Sequence, residues 1–131
     1  MFDNKMICTE GFENILQQDR TVGFAILARL PYYRGLGLSM VEDISLSVDG
    51  EAVPRENIRF TVRGRTWTLA EMETEYKDRW NFGEKALISA LKPGGLAAGK
   101  HKIELAERLR ISYLPFVPTT KDSKELVLKS T

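Results

Sequence analysis

Cysteine and histidine are almost missing from this sequence, which has only Cys8 and His101 in 131 residues. A single cysteine cannot form a disulfide within the chain, and the two residues together cannot supply the ligands of a structural zinc site. Only carboxylates remain as candidate metal ligands, and we expect no metal site here. Nucleophilic catalysis usually needs a histidine base, so the chain is poorly equipped for that as well.

An excess of charge of one sign is also lacking. Lys and Arg total 19 and Asp and Glu total 18, a formal net charge of +1. Phosphate backbones are bound through clustered positive charge, so we expect no nucleic-acid partner. Apolar runs such as 24–28 are far shorter than the roughly 20 residues that cross a bilayer. Charged residues are interleaved with the apolar residues over 1–20, so the sequence has no apolar stretch of the kind that a signal peptide needs. We therefore expect a cytoplasmic protein without a membrane span.

What the sequence does contain is apolar residues at every second position, in a chain of 131 residues that is 43% hydrophobic. This length predicts one domain, 1–131, and this spacing predicts strands. The main alternating segments are Val22–Leu30, Ile44–Val48, Ile58–Val62, Ala86–Leu91, Ile103–Tyr113 and Glu125–Lys129. With about seven to nine short strands, the fold class is all-β, a two-sheet antiparallel β-sandwich, because each one-sided sheet needs an apolar partner.

Local signals add turns and one helix. Asp49-Gly50 is the dipeptide of a type I′ hairpin turn, and Gly64 predicts a second hairpin. Thr68 and Glu71 have the spacing of a capping box and predict a helix of two turns. Glu107 breaks the apolar face of its strand; we expect a bulge near Ala106 to turn it outward, the alternative being an arginine partner.

Four features have both a structural and a catalytic or binding interpretation, and we favour the structural one for each. His101 lies between two lysines that oppose its protonation, which predicts a solvated residue at a strand edge. Cys8 is expected to be a small buried hydrophobe. Trp67 and Trp80 are expected in the core, although a sugar-stacking platform is the alternative. The acidic residues are expected to be solvated, with a glycosidase pair as the alternative; they are Glu42, Asp43, Glu71, Glu73 and Glu75.

Two loops stand out. The loop Lys92–Gly95 has glycines but is followed by a strand pattern, so it matches a phosphate-binding loop only weakly. The segment Arg29–Met40 combines tyrosine, arginine and methionine, which are typical of protein interfaces. We predict that four of its side chains face a partner, near the rim of that partner's pocket; these are Tyr32, Tyr33, Arg34 and Met40. The alternative is that Tyr32 and Leu38 cover one end of the sandwich.

An ordered set of segments resembles the small β subunit of bacterial C-glycoside deglycosidases. The segments are 31–35, 38–43, 48–50, 57–62, 64–72 and 110–115, and they span nearly the whole chain. None of them is a catalytic signature. The sequence departs from the family pattern at Gly37, where a proline is expected.

The resemblance implies a heteromeric carbon–carbon lyase. Its larger α subunit would have a sugar-isomerase-like barrel, bind a divalent metal, typically Mn²⁺, and carry the catalytic residues. The substrates would be 3-keto C-glycosides of flavonoids or related aromatics. A ketone at sugar carbon 3 acidifies the proton on carbon 2, so that a base can remove it and the aryl group can leave carbon 1. No catalytic residue of the family maps onto this sequence.

Two other functions remain open from the sequence. One is a free-standing carbohydrate-binding module that stacks a sugar on Trp67 or Trp80. The other is a purely structural subunit that stabilises a partner without touching substrate. Retention of a polysaccharide by the isolated protein would favour the first.

Overall fold

The computed structural model describes residues 6–8, 11–29, 36–75, 77–80, 84–109 and 119–128, and these form an all-β sandwich. The strands are β1 (Glu13–Gln17), β2 (Arg20–Arg29), β3 (Leu36–Gly37), β4 (Val41–Val48), β5 (Glu51–Ala52), β6 (Ile58–Val62), β7 (Arg65–Thr68), β8 (Arg79–Trp80), β9 (Lys85–Leu91), β10 (Gly99–Leu109) and β11 (Thr119–Leu128). One short helix, α1, spans Leu69–Met72, and 3₁₀ turns span Leu38–Met40 and Arg55–Asn57.

Two antiparallel sheets make up the sandwich. The first has five strands in the order β1-β2-β9-β6-β7, and the second has four in the order β11-β10-β4-β5. A separate pair, β3 and β8, lies outside both sheets. The predicted fold class is confirmed. Among the described residues there are eleven strands, three of which have only two residues. The predicted number of strands was too low because it did not include these short pairs.

The core lies between the sheets and is built by strand alternation. On β2 the inward residues include Phe24 and Ile26, and on β10 they include Ile103 and Leu105, all at most 1% exposed. The ladder registers are regular: Ile26 pairs with Ile88 on β9, and Leu105 pairs with Leu46 on β4. The period of two thus places one face of each sheet in the core, as the sequence predicts.

Both predicted hairpin turns are present. Asp49 and Gly50 have φ values of 53° and 84°, and Arg63 and Gly64 have 49° and 79°. Positive φ at both central residues is the signature of the type I′ turn, whose twist matches that of the flanking strands. The two turns join β4 to β5 and β6 to β7.

Two other elements differ in length from the prediction. Helix α1 has the predicted capping box, since Thr68 Oγ1 accepts from the Glu71 N–H and Glu71 Oε1 accepts from the Thr68 N–H. It spans four residues rather than two turns. The last strand starts at Thr119 instead of Glu125. Its first half has polar residues at the inward positions, so the apolar alternation marks only the second half of the strand. The predicted extension of β10 to Tyr113 lies outside the described residues.

The prediction for Glu107 is wrong. The side chain is 0% exposed and alternates with Leu105 and Leu109 on the core face of β10. A register shift does occur between Arg108 and Leu109. It follows Glu107, pairs Arg108 with Asp43 and Leu109 with Val41, and so leaves the extra residue on β4. It therefore does not rotate the carboxyl out of the core.

Gly37, the departure from the family pattern, has the backbone of a proline. Its φ is −64° and its ψ is 147°, the values that a pyrrolidine ring imposes on an extended residue. The nearest atom to an added Cβ would be Ser39 Oγ at 3.9 Å. The backbone at this position is therefore one that a proline could also adopt.

Candidate partner-facing site

The predicted partner surface begins where β2 leaves the first sheet. Tyr32, Tyr33 and Arg34 lie outside the described residues, between Arg29 at the end of β2 and Leu36 at the start of β3. Their predicted contact with a partner stays a prediction. Only the two flanks of the segment are described: it follows the last residue of β2, and it precedes β3, which leads through the 38–40 turn directly into β4.

Met40, the fourth predicted interface residue, is described. It ends the 3₁₀ turn, is partly buried and packs against the core cluster. Leu38 in the same turn is 0% exposed, as the alternative interpretation expects of this residue, whereas Tyr32, its other member, lies outside the described residues. Main-chain bonds hold the turn: the Leu38 N–H donates to Asp78 O at 3.0 Å, and the Ser39 N–H donates to Glu75 O at 3.2 Å.

Both tryptophans belong to the core, as the structural interpretation predicts. Trp80 is 0% exposed, meets Phe60 edge-to-face at 5.0 Å between centroids, and donates its indole N–H to Glu84 O at 2.8 Å. Trp67 is 6% exposed and donates to Glu75 Oε2 at 3.2 Å. Neither ring offers an open face for a sugar, so the stacking platform is wrong.

Charged side chains surround this end of the sandwich. The Arg63 guanidinium donates to both Glu84 carboxylate oxygens, at 2.5 and 2.6 Å, and to Arg79 O at 2.8 Å. Asp78 accepts from Arg65, whose guanidinium carbon lies 5.0 Å from the centre of the Trp67 ring. This network ties the β6–β7 hairpin to β8 and to the residue before it, Asp78.

The acidic residues considered for a glycosidase pair have structural partners instead. Hydrogen bonds from the Thr68 N–H and then the Thr68 hydroxyl lower the pKa of Glu71. Those from the Lys77 N–H and then the Trp67 indole lower the pKa of Glu75. Arg55 contacts Asp43 at 2.9 Å and Glu73 at 3.5 Å. These contacts hold the carboxylates as ion-pair partners, caps and acceptors rather than as an acid and base facing a substrate.

His101 is not the solvated edge residue that the sequence predicts. It lies on β10, which has neighbours on both sides, and its side chain is 12% exposed. Nδ1 is 2.7 Å from Asp49 Oδ2, and Nε2 is 2.6 Å from Ala97 O. Because both partners are acceptors, the ring satisfies both bonds only as the imidazolium.

The prediction that protonation of His101 is disfavoured is therefore also wrong. The Ala97 carbonyl and then the Asp49 carboxylate raise the pKa of His101 above its ordinary value. The same contact lowers the pKa of Asp49, with a further contribution from the Lys102 N–H. The histidine joins the β4–β5 turn to the loop before β10.

Cys8 and the loop Lys92–Gly95 have structural rather than catalytic or phosphate-binding surroundings, as the sequence analysis favours. Cys8 is 1% exposed, so its predicted burial is confirmed. The loop 92–98 continues into β10 without a helix. Gly95 is required there, because a Cβ on it would lie 2.5 Å from Asn14 Oδ1, which accepts from the Leu96 N–H at 3.0 Å.

A polar clamp that sequence reasoning missed lies on the inward face of β11. Asp122 Oδ2 accepts from the Ile7 N–H at 2.8 Å, and Lys124 Nζ donates to Ile7 O at 2.5 Å. Ile7 also forms an antiparallel bridge with Ala28 of β2. The clamp thus fastens the N-terminal segment 6–8 across both sheets. A signal was present, since Asp122 and Lys124 continue the two-residue spacing of Leu126 and Leu128.

The second missed feature is the environment of Glu107. Neither of its carboxyl oxygens has a hydrogen-bond partner among the described residues, and burial raises the pKa of this carboxyl well above its ordinary value. Its cross-strand neighbours are Ile44 and Thr120. Burial without such a partner therefore favours the uncharged acid over the carboxylate at this position.

The described residues do not provide the donor set of a divalent metal. In those stretches of chain, no three His, Cys, Asp or Glu side chains group in a way that could hold an ion. Mn²⁺ prefers several oxygen or imidazole ligands, and the carboxylates described above are dispersed over separate contacts. No helix within the described ranges is long and apolar enough to cross a membrane.

Comparison with known proteins decides the family. A family model described as C-glycoside deglycosidase beta subunit matches residues 2–113. The chain belongs to this family. A C-glycoside deglycosidase beta subunit of Eubacterium cellulosolvens is 33% identical over 114 residues, 86% of this chain and 78% of its own. One of Arthrobacter globiformis is 32% identical over 111 residues, 80% and 84% of the two chains. The 3'-dehydrocarminate deglycosidase beta subunit of a Microbacterium species is 38% identical over 108 residues, 79% and 80%.

These relatives confirm the resemblance found in the sequence. They are named as subunits of deglycosidases, so a role as a subunit rather than as a free-standing module is supported. The family is also consistent with the site geometry, in which the candidate catalytic side chains are held in structural contacts.

Proposed function

We propose that this chain is the β subunit of a heteromeric C-glycoside deglycosidase, a carbon–carbon lyase. The enzyme would separate a 3-keto sugar from a flavonoid-type aromatic aglycone in the cytoplasm. Its base and its divalent metal, Mn²⁺, would be on a larger α subunit with a sugar-isomerase-like barrel. The β subunit would shape the complex and would face the α subunit with Tyr32, Tyr33, Arg34 and Met40.

Family membership is the observation that carries this proposal, and the chemistry of the chain supports it. The reaction requires a base to take the proton from sugar carbon 2, after which the bond from carbon 1 to the aryl carbon breaks and that carbon is protonated. His101 is bonded at both ring nitrogens, and Glu107 is closed off in the core. Neither side chain is placed to take a proton from a sugar.

The interface part of the proposal rests on composition and topology. Tyr and Arg contribute most of the binding energy in many interfaces, and the segment that carries them connects β2 to β3.

Co-expression with the companion α subunit tests the whole proposal. The co-purified complex should cleave a 3-keto C-glucoside, and the isolated chain should not. After the subunits are separated, the metal should remain with the larger one. Cleavage by the isolated chain, or a stoichiometric metal on it, would refute the assignment of chemistry to the partner.

Substitution of Tyr33 and Arg34 together by alanine tests the interface. Removal of two anchor side chains should weaken co-purification by at least about tenfold, since such anchors often contribute 2 kcal/mol or more. The matched control is Leu16→Ala with Arg20→Ala, which also removes one bulky residue and one arginine, both exposed, from the β1–β2 hairpin. Equal assembly of the two double variants would argue against the predicted surface.

A further inference from the structure

β11 is a long strand at the edge of its sheet. It has ten residues and pairs with β10 at the end of the four-stranded sheet. Among the described residues, no strand pairs with its other side. A free edge is a template for pairing with another chain, and many proteins block such edges with charges, proline or bulges. β11 contains charges, but it has no proline and its register with β10 is regular.

The main-chain groups of alternate residues on β11 point away from β10. The Asp49 N–H donates to Lys102 O at 2.8 Å, so even-numbered residues of β10 bond toward β4 and odd-numbered ones toward β11. The ladder pairs these odd-numbered residues with even-numbered residues of β11. The odd-numbered residues of β11 therefore direct their main-chain groups outward. In agreement with this, the Ser123 N–H donates to the Asp122 side chain at 2.8 Å.

The charges along β11 are arranged symmetrically about Ser123, with opposite signs on its two sides. Asp122 and Lys124 are its immediate neighbours, and Lys121 and Glu125 come next. Each cation therefore has an acid at the same distance on the other side of Ser123. The odd-numbered members of this set are exposed on the outer face of the sheet.

This arrangement is complementary to a second copy of itself. In an antiparallel pair of β11 strands with a two-fold axis at Ser123, Lys121 lies opposite Glu125 of the copy, and Asp122 lies opposite Lys124 of the copy. Opposite charges that face each other across such a pair stabilise it, and like charges destabilise it. An axis at any of these four charged residues would place that residue opposite itself. Ser123 thus gives the longest overlap without a like-charge pair.

The pairing leaves the contacts of the inward face in place. The Ser123 N–H would exchange Asp122 Oδ1 for the main-chain carbonyl of the copy. Asp122 Oδ2 would keep the Ile7 N–H at 2.8 Å and Lys124 Nζ at 3.6 Å. Val127, which is 58% exposed, would lie opposite Thr119 of the copy. The charges that would block this edge against other strands therefore become contacts with a second copy.

We propose that two copies of this chain pair through β11 into a two-fold dimer, in which the two four-stranded sheets join as one antiparallel sheet. Pairing along a single edge buries little surface, and small interfaces are typical of weak, reversible association. The proposal rests on β10 and β11 alone and does not depend on the proposed subunit role.

Sedimentation of the full chain at increasing concentration tests the proposal. The parent chain should dimerise with a dissociation constant below about 1 mM, and added salt should weaken the dimer. Lys121→Glu and Glu125→Lys should each weaken dimerisation at least about tenfold, because both symmetric ion pairs become like-charge pairs. Lys100→Glu is the matched control, since it makes the same charge change at an exposed position of β10. It should dimerise as the parent chain does.

A mixture of the two weakened variants tests the register. In a mixed dimer the two changed positions face each other with opposite charges, and so do the two unchanged ones. An equimolar mixture of Lys121→Glu with Glu125→Lys should therefore dimerise as the parent chain does, and so should the variant with both changes. These recoveries exclude misfolding as the cause of the loss in each single variant. Hydrogen exchange should show that protection of the Ser123 amide rises with concentration in the parent chain.

Three results would overturn the proposal. They are a parent chain that stays monomeric up to about 1 mM, a mixture no more dimeric than its two components, or equal dimerisation of all the variants. Loss of companion assembly in Lys121→Glu, with a monomeric parent chain, would show that the companion subunit pairs with this edge instead of a second copy. That outcome would leave the proposed subunit role intact, so the two proposals can fail separately.

Discussion

Glu107 lies on the core face of β10 because of the two-residue period of the strand, although burial of a carboxyl is unfavourable. Its neighbours on the same face of β10 are Leu105 and Leu109, and a rotation of one position would expose both leucines and bury two polar residues. The burial of several apolar side chains outweighs the cost of one uncharged carboxyl. The chain therefore keeps the register, and protonation of Glu107 reduces the cost.

The pH dependence of stability follows from the raised pKa of Glu107. An unfolded glutamate releases its proton near pH 4.3, whereas the folded chain keeps it to higher pH. Stability therefore falls as the pH rises from about 4.3 to the folded pKa. Glu107→Gln should remove this slope, which denaturant unfolding between pH 4 and 9 measures. Glu107→Leu should add about 1–3 kcal/mol to the free energy of unfolding, because it removes a buried carboxyl that has no hydrogen-bond partner in the described part of the chain.

The same substitution at Glu104 is the matched control for Glu107→Gln. Glu104 is the preceding outward-facing acid on β10 and lines the outer face of the sheet. Its change should stay within about 0.5 kcal/mol at every pH, as for most surface substitutions. If the parent chain and Glu107→Gln gave parallel pH profiles, the carboxyl would have an ordinary pKa and would not lie in the core.

At the scale of elements, β11 does more than extend the second sheet. It pairs with β10 over ten positions from Gly99–Leu128 to Arg108–Thr119, and its inward face holds the segment 6–8 through Asp122 and Lys124. An edge strand that fastens another element couples the stability of the two. The N-terminal segment and β11 should therefore open together.

Asp122→Ala tests this coupling. It removes the acceptor of the buried Ile7 N–H and a carboxylate 3.6 Å from Lys124 Nζ, so it should cost about 1–3 kcal/mol. Hydrogen exchange should show lost protection of the Ile7 amide, and Asp122→Asn, which keeps an acceptor oxygen, should restore part of it. The control is Ser123→Ala on the exposed face of the same strand. Unchanged protection of Ile7 in Asp122→Ala would contradict the clamp.

For the whole molecule, the titrating groups combine into an unusual stability profile. The lowered pKa values of Asp49, Glu71 and Glu75 contribute stability that is present above the unfolded values near 4 and is lost as the pH falls through the folded ones. The raised pKa values of His101 and Glu107 act in the opposite direction. We therefore expect the maximum stability on the acid side of neutrality.

His101 connects two separate loops, so its titration should be visible in the stability of the whole fold. Its contribution is fully present below the unfolded pKa near 6.5 and is lost as the pH rises through the folded value. His101→Gln should be less stable than the parent chain at pH 5.5 and should approach it at pH 9, as measured by thermal unfolding. Lys100→Gln, at an exposed neighbouring position, is the control. An equal loss for His101→Gln at both pH values would exclude the imidazolium.

The period-two pattern, the two type I′ turns and the capping box are determined by the sequence alone. Each depends on residues that are close along the chain, such as Asp49-Gly50 or Thr68 with Glu71. The family, too, was visible in the order of short segments. All of these features depend on neighbouring residues or on the order of segments along the chain, so they can be predicted without the tertiary structure.

Only the tertiary structure decided the burial of Glu107, the raised pKa of His101 and the clamp on Ile7. Each depends on partners far away in sequence: Asp49 and His101 are separated by 52 positions, and Ile7 and Asp122 by 115. Such contacts set solvation and hydrogen bonding, and these set the pKa and the cost of burial.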